Sequence, residues 1–317
     1  MSLKITRAGI LDTVQDLGRT GYRALGVNPG GAADRDAVRI LNTLLGNDEN
    51  AAGVEMHFPA ANIEFEDDAV IAIGGAHFRP ELKGVAVQKW TSVLAKKGET
   101  LNFTGRKYGA RCYLAVRGGI ETEQWLGSAS TNLFVKAGGA GGRKLEKGDV
   151  LSVGGKATDG PVGLSAGRTL TDRFLLEPML RVTEGPEHHL LTAVSANAFE
   201  TGEFEVRSDS NRMGIRLEGP PLHTVDEIDL VSSAVAPGTV QLLPDGSAVI
   251  LGADSQTTGG YPRIARIIAA DLSIAAQVST GDRVRFRLVP LEEAYAAMCS
   301  FERDLSFLRL GLRFRAP

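Results

Sequence analysis

AVIAIGGAHFRPELKGVAVQKWTSVLAKKGETLNFTGRKYGARCYLAV, residues 69–116, decides the fold. It repeats one theme, a short β-branched or alternating run closed by Gly, Pro, Asp or Asn, and the theme predicts strands over residues 69–73, 85–94, 100–103 and 111–116. The theme recurs outside this stretch at 150–153, 204–206, 248–251 and 283–289. Many short strands with few helices read as a mainly β protein of barrel or sandwich type.

Two helices stand out. Asp34 to Leu45 carries apolar residues at 37, 38, 41, 44 and 45 and stops at Gly46-Asn47; the other runs from Leu291 to about 310. Both read as amphipathic and peripheral. The stretch GGKATDGPVGLSAGRTLTD, 154–172, loses periodicity and gathers Gly, Ser, Thr and Pro. The expected organisation is therefore two β-rich halves, 1–155 and 173–317, joined by a linker at 156–172. Glu146-Lys147-Gly148-Asp149 and Ser279-Thr280-Gly281-Asp282 each set Gly-Asp before a strand, a faint sign of related halves, because such turns are common.

Composition removes several classes of function. The 317 residues carry 35 basic and 38 acidic side chains, a net charge of -3 with no block of one sign, so nothing marks a nucleic-acid or membrane surface. No run of about 18 apolar residues occurs and the first residues lack a signal-peptide core, which reads as cytoplasmic. Cys112 and Cys299 are too few for a disulfide framework, and the five histidines form no H-E-x-x-H pattern, so no metal site is expected.

Candidate chemistry gathers in loops. In ADSQTTGGYPR, 253–263, Asp254 and Gln256 suit proton transfer or amide hydrogen bonds, while Thr258, Tyr261 and glycine N–H groups suit an anion. Tyr261-Pro262 after two glycines stiffens the loop. SDSNRMG, 208–214, places Ser210, Asn211 and the planar fork of Arg212 at a strand end, where it matches a carboxylate or phosphate. Asp16 and Arg19 in LDTVQDLGR read as a local ion pair by a turn, Asp34 as a charge favouring the start of a helix. The run AGGAGGRK, 137–144, lacks phosphate-loop spacing and reads as a surface loop, with Arg143 available to an anion if another element completes a site.

Longer stretches then carry a family resemblance: VQDLGRTGYRALGVNPGGAADRDAVRILNTLLGN, YLAVRGGI, LGSAST, SDSNRMGIRLEGP and DSQTTGGYPRIARIIAADLSIAAQVSTGDRVRF. In order from about residue 5 to 289, the chain resembles the allophanate hydrolase subunit 2 family, also called KipA-like or biotin-dependent carboxyltransferase, which includes the C component of bacterial 5-oxoprolinase. The resemblance implies cyclophilin-like barrels in the two subdomains and work beside a KipI-like sister protein, the B component, with a LamB/YcsF-type A component in the oxoprolinase case.

Three functions are implied as alternatives. The first is ATP-dependent opening of the lactam 5-oxoproline, with Mg-ATP used at the level of the complex, Arg19, Arg117, Arg143 and Arg212 as candidate cations and Asp34 and Asp254 for proton transfer or metal contact. The second is carboxyl transfer from biotin to urea or a related amide, drawing on Gln256, Tyr261 and Asp254. The third is a non-catalytic protein that binds a KipI-type partner. The chain has no biotin-attachment segment, because Ala297-Met298-Cys299 lacks the lysine, so no covalently attached biotin is expected and the oxoprolinase reading leads. The site is expected to be completed by the partner, with Phe301, Leu305 and Leu308 either facing it or packing on this chain.

Overall fold

The computed structural model describes residues 1–314 except 156, 157, 159, 175–177, 227 and 228. The chain forms two units: Met1–Arg19, Gly30–Phe174 and Glu302–Pro317 make the first, Thr20–Pro29 and Leu175–Phe301 the second.

The first unit contains β1 (Ser2–Arg7), β2 (Thr13–Gln15), α1 (Arg35–Leu45), β3 (Gly53–Met56), β4 (Asn62–Phe65), β5 (Ala69–His77), β6 (Pro80–Leu82), β7 (Val85–Ala86), β8 (Ser92–Ala95), β9 (Thr100–Phe103), β10 (Tyr108–Val116), β11 (Ile120–Glu121), β12 (Val150–Val153) and α2 (Arg168–Thr171). They build a seven-stranded sheet in the order β11-β12-β1-β4-β9-β6-β7 and a five-stranded sheet in the order β2-β3-β10-β5-β8. β5 lies between β10 and β8, and α1 packs on β5 and β10. Enclosure on both edges and a face explains why AVIAI is a continuous apolar run rather than an alternating one. Ile5, Val54, Ile63, Phe65, Ile71, Ile73, Leu114 and Val116 are fully buried in this core.

Both ends of α1 follow from sequence. Asp34 accepts the Ala37 N–H at 2.9 Å, and Gly46 takes a left-handed φ of 73° from which its N–H returns to the carbonyls of Asn42 and Thr43. Every α1 side chain but Arg35 and Arg39 is buried, so this helix is enclosed by its unit rather than lying along its edge. One expected strand, 85–94, is two: β7 and β8 are separated by a turn in which Trp90 holds φ 58°. Alternation alone carries no warning of that reversal. Of the expected linker, residues 156, 157 and 159 lie outside the described residues, and α2 falls within it.

The second unit contains β13 (Met179–Glu184), α3 (Ala193–Thr201), β14 (Phe204–Val206), β15 (Gly214–Glu218), β16 (Ser233–Ala234), β17 (Thr239–Leu242), β18 (Ala248–Leu251), β19 (Thr258–Gly259), β20 (Arg263–Ile267), α4 (Leu272–Ala275), β21 (Arg283–Leu288) and the start of α5 (Leu291–Arg313), whose residues from Glu302 onward are counted in the first unit. Seven strands close a barrel in the order β13-β20-β17-β18-β15-β14-β21. All neighbours are antiparallel except β13 and β21, whose parallel pairing seals it. β21 shows the rule of such a wall, with Val284 and Phe286 buried and Arg283 and Arg285 exposed. Phe286 stacks on Phe199 of α3 with centroids 4.5 Å apart and meets Phe204 edge-on.

The chain is thus mainly β, with few helices. The two Gly-Asp turns are built alike: Asp149 accepts the Glu146 N–H and Asp282 the Ser279 N–H, each at 2.8 Å, and Gly148 and Gly281 both hold positive φ. On α5, Phe301 and Leu305 are buried within the chain, so neither is available to a partner. No described helix is long and apolar enough to cross a membrane.

Candidate functional site

In the second unit, the turn before β15 and the loop after β18 are locked by one pair of side chains. Arg212 donates from Nε to Asp254 Oδ2 at 2.7 Å and from Nη2 to Oδ1 at 3.0 Å, a two-pronged match of planar groups. The backbone repeats the link, since the Asp254 N–H donates to the Arg212 carbonyl at 3.0 Å. Gly252 permits this closeness, because a Cβ there would lie 2.3 Å from the Arg212 carbonyl oxygen. The sequence marked Arg212 as a fork for a carboxylate, and the carboxylate it meets here is the chain's own Asp254.

The neighbouring candidates divide between turn-building and exposure. Ser210 Oγ accepts the Arg216 N–H at 3.0 Å, and the Asn211 side-chain oxygen accepts the Met213 N–H at 2.8 Å, so both shape the turn that delivers Arg212. Gln256 and Thr258 are exposed, with Thr258 paired to Ala234 in the β16–β19 ribbon. Tyr261 is 46% exposed and lines a cleft of about 700 Å³ with Leu222, His223, Thr224, Leu242 and Pro244. Ser255, which the sequence reading passed over, is buried with its hydroxyl unpartnered in the loop beside Asp254. A serine between two nominated residues was its only signal.

In the first unit, Arg19, Asp34, Arg117 and Arg143 are not gathered about one point. Arg19 is 2% exposed, donates to the Ser130 carbonyl at 2.6 Å and lies 4.7 Å above the Trp125 ring. Asp16 receives the Ser128 hydroxyl, the Ala129 N–H and the Gly18 N–H, each at 2.7 Å, together with the Ser130 hydroxyl. The motifs LDTVQDLGR and LGSAST therefore form one buried knot. Asp34 caps α1. Arg117 donates to the carbonyls of Leu45 at 3.1 Å and Pro161 at 2.7 Å. Arg143 grips Asp149 with two donors at 2.7 and 2.8 Å.

The glycine run beside Arg143 coils on itself. Gly138, Gly139, Gly141 and Gly142 all have positive φ, and the Gly142 N–H donates to the Gly138 carbonyl at 2.7 Å. A Cβ on Gly142 would sit 1.9 Å from the Lys136 carbonyl carbon, which requires glycine there.

Several buried polar groups escaped the sequence reading because each stands in an apolar or alternating run. Asp12 accepts the N–H of Ala61 at 2.6 Å and of His57 at 3.2 Å, and burial pushes its carboxyl up to about 7. Tyr113 donates to Glu55 at 2.7 Å and accepts the Asp34 N–H at 2.9 Å, and burial holds its phenol well above the usual range. Lys89, half-buried, extends over the Tyr108 ring, 4.8 Å from the centroid, and desolvation pushes its amine down to about 8. Cys112 is fully buried, with its thiol pushed up to about 12, so it packs rather than reacts.

The family model for the carboxyltransferase domain, subdomain A and B, matches residues 25–288. The chain is 40% identical over 295 residues to the C subunit of the Escherichia coli 5-oxoprolinase, covering 93% of this chain and 94% of that protein. It is 31% identical over 335 residues to the urea amidolyase of Saccharomyces cerevisiae, covering 99% of this chain but 18% of that protein. The crystal structure of the Kluyveromyces lactis urea carboxylase superposes with a TM-score of 0.90 at 26% identity, over 97% of this chain and 29% of that one. Matched through both the turn at Arg212 and the loop at Asp254, the chain belongs to the family of the carboxyltransferase domain, subdomain A and B.

Proposed function

We propose that this chain is the C component of an ATP-dependent 5-oxoprolinase, acting with a KipI-like B component and a LamB/YcsF-type A component to open 5-oxoproline to glutamate. The observation that carries this reading is the 40% identity to the C subunit of a 5-oxoprolinase, which spans nearly all of both proteins. A five-membered lactam is a stable amide, and Mg-ATP enters as the substrate that activates it: the amide oxygen attacks the γ-phosphorus and ADP leaves, water then adds to the activated carbon, and phosphate departs as the ring C–N bond breaks. The chain's part is to orient and to exchange protons. Arg212 fixes the Asp254 carboxylate in one plane, and on this reading Asp254 exchanges a proton with the ring nitrogen or the attacking water. Gln256, Thr258 and Tyr261, all exposed near that carboxylate in sequence, supply hydrogen-bond donors to the amide oxygen and the substrate carboxylate. Ser210 and Asn211 keep the Arg212 turn in shape, and Asp34 supports α1.

A second reading, carboxyl transfer to urea or a related amide, draws on the urea amidolyase match along 99% of this chain. It is the weaker reading because the matched stretch is only 18% of that protein. The deciding assay reconstitutes the chain with its sister subunits and measures ADP release with 5-oxoproline, with urea and with neither. Release that depends on 5-oxoproline supports the oxoprolinase reading. Inertness toward 5-oxoproline, together with urea carboxylation once a biotinylated carrier is added, overturns it.

A further inference from the structure

We propose that Arg79, Lys89 and Lys107, gathered around the His77–Tyr108 pair at a bulge between β5 and β10, form a binding site for a phosphate-class oxyanion. The four arginines nominated from sequence are each engaged by the chain's own oxygens, whereas these three cations have no ion pair among the described residues. Lys89 Nζ donates to the Gly75 carbonyl and, at 3.4 Å, to the Tyr108 hydroxyl. Both acceptors are neutral, so the charge stays uncompensated. Asp34 and Asp172 act on Lys89 and Tyr108 only through space, and no described carboxylate contacts the cluster.

Arg79 and Lys107 adjoin the pair through backbone bonds to His77. His77 meets the Tyr108 ring edge-on at 5.6 Å, and its Nδ1 accepts the Arg79 N–H at 3.1 Å, which assigns the proton to Nε2 and makes that edge a donor. The Lys107 N–H donates to the His77 carbonyl at 2.8 Å. Burial first, then the nearby charges of Lys89, Lys107 and Arg79, hold the imidazole below its usual range. Gathered like charges cost free energy, and a multiply charged oxyanion removes that cost where a lone carboxylate leaves much of it.

The backbone is shaped for the purpose. Tyr108 pairs with His77 and Cys112 with Gly75, so two extra residues bulge from β10 here. Arg79 and Trp90 hold left-handed φ values of 49° and 58°, which non-glycine residues adopt only where their surroundings enforce it. Gly74 leaves the room that the Trp90 ring fills, because a Cβ there would come within 2.4 Å of it.

The test titrates the isolated chain with inorganic phosphate, ATP and acetate, following the His77 imidazole signals by NMR and affinity by calorimetry. It uses neither 5-oxoproline nor a sister protein, so its failure leaves the oxoprolinase reading standing, and the reverse also holds. Phosphate should shift the His77 signals, and Lys89→Met should weaken binding about tenfold or more. The surface double variant Arg79→Ser/Lys107→Ser, which touches no core, should do the same, and Lys147→Ser should change nothing. Tighter binding of ATP, competed by phosphate, assigns the site to nucleotide phosphates; equal binding assigns it to the free oxyanion. Unmoved His77 signals, equal affinity in the folded variants, or acetate binding as tightly as phosphate each overturn the proposal.

Discussion

Arg212 and Asp254 show how one residue pair can serve both shape and chemistry. Both side chains are largely withdrawn from water, with 6% and 17% exposure, so the pair is screened less than a surface bridge. Arg212→Lys keeps the charge and loses the planar fork, and should lower stability by about 1–3 kcal/mol as one charged hydrogen bond is left unmade. Chemical denaturation of the two proteins measures this, and identical midpoints would show the fork to be dispensable. Asp12 supplies a second prediction. Its ordinary value is 3.8 and its folded value about 7, so between them the folded protein holds a proton that the unfolded chain releases. Stability should therefore fall as pH rises through that window and level off above it, an effect of up to a few kcal/mol. Asp12→Asn exchanges one acceptor for a donor and lowers the baseline, but it should flatten this slope in urea unfolding followed across the window. A slope as steep as that of the parent would assign the effect elsewhere.

Among the elements, α1 separates support from chemistry. Asp34→Ala removes the cap and should cost about 1 kcal/mol, whereas Asp34→Ser keeps an accepting oxygen and should recover most of it. If Asp34 exchanges protons with substrate, the serine variant regains stability but not turnover, so the comparison of kcat with Tm decides its role. Gly74→Ala forces the Trp90 ring off β5 and should cost about 1–3 kcal/mol, with a change in the fluorescence of one of the chain's two tryptophans. Strands such as 150–153, 204–206 and 248–251 were legible to the residue, because Gly, Asp or Ser stands within two residues of each end. β1, β13, β15, β17 and β20 were not, because Lys and Arg interrupt their alternation or because their neighbours blur the ends. The candidate site was legible where unusual residues cluster, as at Arg212 and Asp254. It was illegible at Asp12, Glu55 and Lys89, whose roles come from burial and from strands distant in sequence. Local spacing carries no trace of either.

For the whole molecule, a closed barrel in one unit and two sheets in the other provide rigid frames, while the candidate chemistry rests on the loops between strands. On the oxoprolinase reading proposed above, sister proteins complete the activity, so the lone chain should hydrolyse little ATP. The central claim is tested most directly by measuring ADP and glutamate released from 5-oxoproline by the chain copurified with its sister proteins, with every component also assayed by itself. The expected result is matched release of both products by the complex and almost none by this chain alone. Full 5-oxoproline-dependent ATP hydrolysis by the lone chain, or a complex that releases neither product, would contradict it.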